Sequence, residues 1–585
     1  MIATETPDRF SGRLTHLGAL DPGDAAQPAE HAGCRVLCCG YIADRAALCA
    51  RLGFAPPLRP SDGELLAHAF RAWGRDLQAH VLGEYAALVY DLRAQTALLT
   101  HDALGVAPLF YSHRSGGIAF ATDIIDLVDD AAAAAVDDEY LADFLACGFT
   151  TSERTPYRSI LRVLPGQSMW WSAGELRALR ALRTWDLADA PMVRCRDDAE
   201  YEERFRALLS AGVQSARDPN GPTWVSLSGG LDSSSIASIA ARDDAHDLAA
   251  YSIVSSTWPD ADESRWMRAV VEQYALPWHK VEIETMLPFS QLPGGFHGEP
   301  THAVIAEQQL QIENALLRSH GARVMLSGHA GDAVLCASPG DVPTHLADPL
   351  FDGNPAGALR AMNAWKNGAR DGRSQSHWLL RSLVEPAVDH VRGRRMRNAD
   401  RTALPPWFER GYTRAMRLEM RMSRRVAPHC RTPARQMLWD ALWMMSTSTA
   451  SVPRRRMTYA VRNPILYRPL VEFMCGIPWE QKLRPRCDRY LQRRALAGVL
   501  PELVRRRATK GTGNPSMVEG LRRSRDWFGY LCDTPLIAER GIVDADRWRL
   551  AVRQASVGQT HDDRFFLAAV AVEVWLKQLR EHRAR

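Results

Sequence analysis

The stretch Ser228-Gly229-Gly230-Leu231-Asp232-Ser233-Ser234-Ser235 decides how the rest of the sequence is read. It follows Thr223-Trp224-Val225-Ser226-Leu227, a short apolar run expected to be a buried strand, and it leads into Ser234 to Ala241, expected to be a helix. Glycines let a backbone turn tightly and approach a ligand closely. Free N–H groups at the start of the next helix favour an anion, and the serine hydroxyls add donors. By chemistry this is a phosphate cradle. The lysine of G-x-x-x-x-G-K-[ST] is missing, so it is not a Walker A loop. The plainer alternative is a glycine turn with serines capping a helix.

Outward from this loop, strand and helix signals alternate. Phe205, Leu208, Leu209, Val213 and Ala216 recur at helical spacing before it. Ala249 to Ser255 reads as a strand, Ser264 to Tyr274 as a helix and Ala322 to Leu326 as a third strand. Such alternation implies a parallel sheet. A second carboxylate follows the third strand, in Leu326-Ser327-Gly328-His329-Ala330-Gly331-Asp332. Magnesium takes one or two carboxylates plus phosphate oxygens, so Asp232 and Asp332 are assigned as its ligands. Residues 375–585 are expected to be mainly helical. Residues 1–190 read as strand-rich, with a helix from Glu64 to Trp73, and Met192 to Asp198 as a linker.

Composition bounds the function classes. A chain of 585 residues implies two or three domains. Apolar residues are 46% and charged residues 24%, as in an ordinary globular protein, and the net charge of +4 does not by itself indicate a nucleic-acid binder. Eleven cysteines with no CxxC pair suggest reduced thiols. No secretory signal is seen at Met1 to Thr6, and the apolar stretch Phe565 to Leu576 is too short to span a bilayer and contains Glu573. The expectation is a cytoplasmic protein with no membrane partner. The run Ala131 to Ala135 reads as helix or loop filler. The region 414–456 combines Arg414, Arg417, Arg421, Arg424, Arg425 and Arg454 to Arg456 with Trp439 and Trp443. That mixture suits RNA in principle, but helices with solvated basic faces or a peptide-binding wall account for it as well.

The loop resembles the PP-loop of ATP pyrophosphatases, which cleave ATP between the α and β phosphates. Together with Ala250-Tyr251-Ser252-Ile253, Asp262-Glu263-Ser264, Val461-Arg462-Asn463-Pro464-Ile465-Leu466, Arg489 to Ala495 and Arg507-Ala508-Thr509-Lys510, it resembles the asparagine synthetase and β-lactam synthetase family. The N-terminal half resembles a class II glutamine amidotransferase domain, through Gly83-Glu84-Tyr85-Ala86, Asp102 to Tyr111 and Phe120-Ala121-Thr122-Asp123. The implied fold is α/β. An Ntn-type αββα domain over 1–190 would precede an adenine nucleotide α-hydrolase-like domain over 199–585 with a parallel sheet and many helices. The implied cofactors are ATP and Mg²⁺. The resemblance places the nucleotide on Ser226, Leu227, Ser228, Gly229, Gly230, Asp232, Ser233, Ser234, Ile253, Ser327, Gly328 and Lys510, with Lys510 as the catalytic cation.

Two departures narrow the reading. A working glutaminase of this class starts at a cysteine whose α-amine is the base, whereas position 2 is Ile2, and Cys39-Gly40 stands where Asn-Gly would be. The N-terminal domain is therefore expected to be degenerate and the amine to come from the substrate. His329 matches neither the tyrosine of β-lactam synthetases nor the glutamate of asparagine synthetases, and Gly328-His329-Ala330-Gly331-Asp332 resembles the lasso peptide cyclase pattern. Its imidazole suits a general base near neutral pH, or it packs on the adenylate. The expectation is ATP-dependent closure of a macrolactam between the α-amine and an Asp or Glu side chain of a precursor core peptide. A leader peptidase and a leader-recognition protein are partners implied by resemblance. A β-lactam synthetase, an ammonia-dependent asparagine synthetase and an RNA-binding or tRNA-modifying PP-loop protein are the alternatives.

Overall fold

A computed structural model gives the architecture. It describes the chain except for residues 1–8, 16–18, 24–27, 56–57, 116, 129–134, 151, 174–178, 336–341, 370–371, 395–402, 423–429, 451–453, 509–514, 560–562 and 585. The Ala131–Ala135 patch lies almost wholly outside the described residues, as do Arg424, Arg425 and Lys510.

The N-terminal half is two packed antiparallel sheets. Its strands are β1 (Ser11–Thr15), β2 (Leu20–Pro22), β3 (Ala29–His31), β4 (Cys34–Ile42), β5 (Gly83–Asp91), β6 (Thr96–His101), β7 (Phe110–Arg114), β8 (Gly117–Ala121), β9 (Ile160–Arg162), β10 (Gln167–Ser172) and β11 (Leu179–Arg183). One sheet runs β2-β1-β8-β7-β9 and the other β11-β10-β6-β5-β4-β3. The layering follows from the alternation of side chains along a strand. In β5, Ala86, Leu88 and Tyr90 join the core between the sheets. Tyr85, Ala87 and Val89 join the core beneath the helix Asp62–Trp73. A strand apolar on both faces needs a layer on each side. That helix begins two residues before the expected Glu64, because Ser61 caps it by accepting from the Glu64 N–H at 3.2 Å. Among the described residues, the αββα arrangement is closed by the helix Asp138–Cys147, which packs on the C-terminal helix Asp563–Ala584.

The second half is built on a five-stranded parallel sheet: β12 (Thr223–Ser226), β13 (Leu248–Val254), β14 (Trp278–Glu282), β15 (Val324–Leu326) and β16 (Ala460–Arg462), in the order β14-β13-β12-β15-β16. The helix Asp198–Ala216 buries Tyr201, Phe205, Leu209, Val213 and Ala216 against it. Two elements differ from the sequence reading. β16 lies inside the region expected to be mainly helical, because Ala460-Val461-Arg462 is stabilised as a strand only by pairing with Val324-Met325-Leu326. The helix after the glycine loop spans Leu231–Asp243, so it starts three residues before Ser234 and carries Asp232 in its first turn.

The helix Asp563–Ala584 is buried on nearly every side, including Glu573, which accepts from the N–H groups of Leu536 and Ile537 at 3.0 and 2.8 Å. Among the described residues no helix is long and apolar enough to cross a membrane.

The arginine-rich region ties the two halves together. Arg421 is buried against Glu139 and Asp143. Arg454 donates to the Val106 carbonyl at 2.9 Å, Arg455 to Asp123 at 2.6 Å and Arg456 to Glu307. Trp439 and Trp443 are buried. Arg421, Arg454, Arg455 and Arg456 and the two tryptophans are engaged within the chain, whereas Arg414 and Arg417 are exposed.

Candidate active site

β12 sits mid-sheet, with the chain moving outward to β13 and β14 on one side and to β15 and β16 on the other. In open α/β sheets the crevice for a ligand lies at such a switch point, beyond the carboxyl ends of the strands. The loops after β12 and β15 are the two loops that the sequence singled out.

The β12 loop is shaped by its own serines. Ser233 Oγ accepts from the Ser228 N–H at 3.1 Å and lies 2.9 Å from Ser228 Oγ, which in turn accepts from the Gly230 N–H at 3.3 Å. Ser235 Oγ donates to the Leu231 carbonyl at 2.7 Å. The Ser234 hydroxyl is fully buried with no hydrogen-bond partner, and the Ser234 N–H is used inside the helix, donating to Gly230 O at 3.1 Å. The hydroxyls expected as extra phosphate donors thus largely serve the loop's shape, and Ser234 faces inward. What the loop offers an anion is backbone: Gly230 is the N-cap of the Leu231–Asp243 helix and supplies no side-chain cap, leaving the first-turn N–H groups and the helix dipole's positive end directed outward. Gly229 has φ +73 and packs under Glu263 and Trp266, where a Cβ would come within 3.1 Å of the Glu263 carbonyl oxygen.

The β15 loop meets this loop backbone to backbone. A Cβ on Gly328 would lie 2.9 Å from Ser233 N, and one on Gly331 would lie 2.1 Å from Asp232 Oδ2. Only glycine fits at either point. Ser327 anchors the loop to β16 by donating its N–H to the Arg462 carbonyl at 2.9 Å, and its Oγ accepts from the His329 N–H at 3.1 Å. Ile253 is half-buried near the end of β13, and Ser252 Oγ donates to the Leu227 carbonyl at 2.8 Å, fixing β13 to the strand end that carries the loop. Ser226 and Leu227 form that strand end, with Leu227 buried.

Asp232 and Asp332 converge. One arginine, Arg489, donates through Nη1 to Asp232 Oδ1 at 2.5 Å and through Nη2 to Asp332 Oδ1. Its side chain is 2% exposed, that of Asp232 10% and that of Asp332 65%, so the pair opens to solvent on the Asp332 side. Gln492 Nε2 donates to Asp232 Oδ1 at 3.2 Å and to Ser235 Oγ at 3.0 Å. Two hard carboxylates fit a divalent cation that completes its shell with phosphate oxygens and water. Among the described residues no group of three or more His, Cys, Asp or Glu is gathered for an all-protein metal cage. A bound Mg²⁺ would be held by Asp232 and Asp332 and would supply positive charge to phosphate oxygens.

His329 is exposed on the β15 loop. The surrounding protein lowers its imidazole pKa by desolvation, while Asp332 pulls it back up. The net direction favours the neutral ring that accepts a proton.

Lys510 lies outside the described residues, but the segment leading to it is pinned to the β12 loop. Arg507 donates to the Gly229 carbonyl at 2.9 Å, pairs with Glu263 and stacks 3.9 Å over Trp266. Sequence reasoning named neither Arg489, Gln492 nor Arg507 as a site residue. Arg489 and Gln492 fall in the quoted segment Arg489 to Ala495 and Arg507 in Arg507-Ala508-Thr509-Lys510, yet one arginine among many carries no local mark of what it reaches.

The asparagine synthase family profile matches residues 204–577, and a glutamine amidotransferase domain profile matches residues 15–183. The chain belongs to the asparagine synthase family, with a glutamine amidotransferase-like Ntn domain ahead of the synthase domain. It is an ATP-dependent carbon–nitrogen ligase of the asparagine synthetase type. Its relatives include asparagine synthetase [glutamine-hydrolyzing] 3 of Bacillus subtilis, 24% identical over 503 residues, covering 79% of this chain and 73% of that one. Another is the amidase chyE of Penicillium rubens, 27% identical over 184 residues, covering 31% of this chain and 26% of that one. A solved glutamine PRPP amidotransferase from B. subtilis, complexed with ADP and GMP, overlays 55% of this chain and 69% of its own at 12% identity. Its TM-score is 0.21, a superposition that carries no argument.

Proposed function

We propose that this ligase is a lasso peptide macrolactam synthetase, activating an Asp or Glu side chain of a precursor core peptide with MgATP and closing the ring with that peptide's α-amine. The observation that carries the reading is His329, exposed beside Asp332 in the loop that faces the phosphate cradle, with its imidazole held toward the neutral form. A residue there that accepts a proton suits an amine already tethered to the acyl group.

In this reading the uncapped N–H groups of the Leu231–Asp243 helix hold the departing diphosphate. Asp232 and Asp332 would hold Mg²⁺, which would supply positive charge to the phosphates, and Lys510 stabilises negative charge on diphosphate and on the tetrahedral intermediate. The carboxylate attacks the α-phosphate to give the acyl-adenylate and diphosphate. The α-amine then attacks the acyl carbon, His329 takes its proton, and AMP leaves. Holding the peptide prefolded supplies the proximity that makes closure efficient. Cys39, which stands where the amidotransferase pattern has asparagine, is buried in the core between the two sheets, which fits an N-terminal domain that no longer delivers ammonia. A leader peptidase and a leader-recognition protein remain partners proposed from resemblance.

The test is incubation with MgATP and a candidate precursor peptide, with mass spectrometry of the peptide and assay of AMP. A product lighter by one water, with stoichiometric AMP, is expected. Asparagine made from aspartate and ammonium, with no change in any peptide, replaces this reading with the asparagine synthetase-like one that the Bacillus relative favours.

A further inference from the structure

Arg489 already neutralises the two carboxylates that would hold the divalent cation of the proposed function. It reaches both carboxylates at once, one on each loop, and it does so from behind, at 2% exposure, while Asp332 faces solvent. Three features show that it is held there under tension. Its backbone is left-handed, with φ 48 and ψ 42, at the start of the helix Tyr490–Ala495, a conformation that disfavours a non-glycine residue. Its Nε is buried with no hydrogen-bond partner. Gln492, which shares Asp232 Oδ1 with it, has a buried Oε1 that also lacks a partner. A guanidinium that leaves one of its donors unmet beside an unmet acceptor is not in its best-satisfied arrangement.

From this geometry we infer that Arg489 is a resident counter-cation, which holds Asp232 and Asp332 at metal-binding spacing before nucleotide arrives and is exchanged for the divalent ion as it loads. The inference rests on the assignment of the two aspartates as metal ligands and adds what occupies them first. Two carboxylates left side by side without a cation repel each other and drive the loops apart. Arg489 prevents that, at the cost of competing with the metal. Arg489 starts the helix whose Arg493 bonds the Asp488 and Arg505 carbonyls at 3.0 and 2.6 Å, and the chain then runs to Arg507 on the Gly229 carbonyl. The helix that begins after Arg489 is thus tied, through Arg493 and Arg507, to the loop that carries the glycines.

The experiment measures Mn²⁺ binding to the full-length, nucleotide-free protein by electron paramagnetic resonance and calorimetry. With Arg489→Met, which keeps bulk and removes the charge, one Mn²⁺ per chain binds at least tenfold tighter than to the parent. The double variant Arg489→Met with Asp232→Asn loses this site. Arg489→Lys, whose single ammonium cannot bridge both oxygens, falls between. Circular dichroism and thermal melting accompany each variant. An Arg489→Met chain that folds only when Mn²⁺ is added supports the exchange, and one that fails with or without Mn²⁺ hands the decision to Arg489→Lys against the parent. Equal Mn²⁺ affinity in the parent, Arg489→Met and Arg489→Lys, lost in the Asp232→Asn double variant, overturns the exchange while leaving the metal site standing. No Mn²⁺ binding in any of them overturns the exchange together with the metal assignment.

Discussion

At the scale of the residue, the site is a matter of charges placed at one point. Asp232 is 10% exposed and Asp332 65%, and both face the same cation. Asp232→Ala or Asp332→Ala is expected to abolish diphosphate release, measured by a coupled diphosphate assay with protein that melts normally. Adenylation surviving in both variants removes the metal assignment. Lys510→Ala is expected to lose product by at least a hundredfold while keeping the fold, since one electrostatic stabiliser of a transition state supplies about 3 kcal/mol or more. Near-normal turnover rules the role out. Lys510 is named from the resemblance of the segment Arg507-Ala508-Thr509-Lys510 and lies outside the described residues. Arg489 was not legible in the sequence, because its meaning lies in two contacts, one of them to a carboxylate 257 positions away.

At the scale of the element, what matters is how closely two loops approach. The motif glycines showed where the loops turn. That Gly328 packs on the Ser233 backbone, and Gly331 on the Asp232 carboxylate, came only with the sheet order that puts β15 beside β12. Gly328→Ala is expected to force the loops apart, at a stability cost of about 1–3 kcal/mol for overpacking. ATP affinity falls at least tenfold, read by thermal melts and by nucleotide titration. An alanine variant that melts and binds like the parent contradicts the described contact. The elements around the site were legible where periodicity is strong, as in the Ser264–Tyr274 helix, which spans the residues expected. They were missed where pairing supplies the stability, as in β16.

At the scale of the whole molecule, the two halves are joined through buried and partly buried polar groups. Tyr467 donates to Asp44, Trp185 Nε1 donates to Glu472 at 2.7 Å, and the Asn463 N–H donates to Glu84 Oε1 at 2.7 Å. Burial raises the Glu84 carboxyl to about 7, against the Asn463 hydrogen bond that lowers it, with Asp102 raising it further. The folded chain therefore keeps a proton that the unfolded chain gives up above about pH 4.3. Stability from this group is full below that pH and is lost as pH rises through about 7, by roughly 4 kcal/mol at about 1.4 kcal/mol per unit. Glu84→Gln keeps the acceptor oxygen and removes the titration. Melting temperatures of parent and variant between pH 5 and 7.5, a window of about that span, are expected to diverge as pH rises, with the variant the more stable above neutrality. Parallel curves would show that Glu84 does not titrate in this range.

The sequence by itself determined the glycine loop and its strand–helix setting, the acidic residues after two strands and the strand-rich character of the first half. These are local patterns of turn, period and spacing, written in neighbouring residues. Only the tertiary structure decided that β12 and β15 lie side by side and that the Ser234 hydroxyl turns inward. It alone showed that Arg489 bridges both aspartates and that Arg421, Arg454 and Arg455 reach across to the N-terminal half. The physical reason is that a side chain's partner across a sheet or an interface is chosen by packing and the need to satisfy buried charge, and neither leaves a trace in the residues beside it.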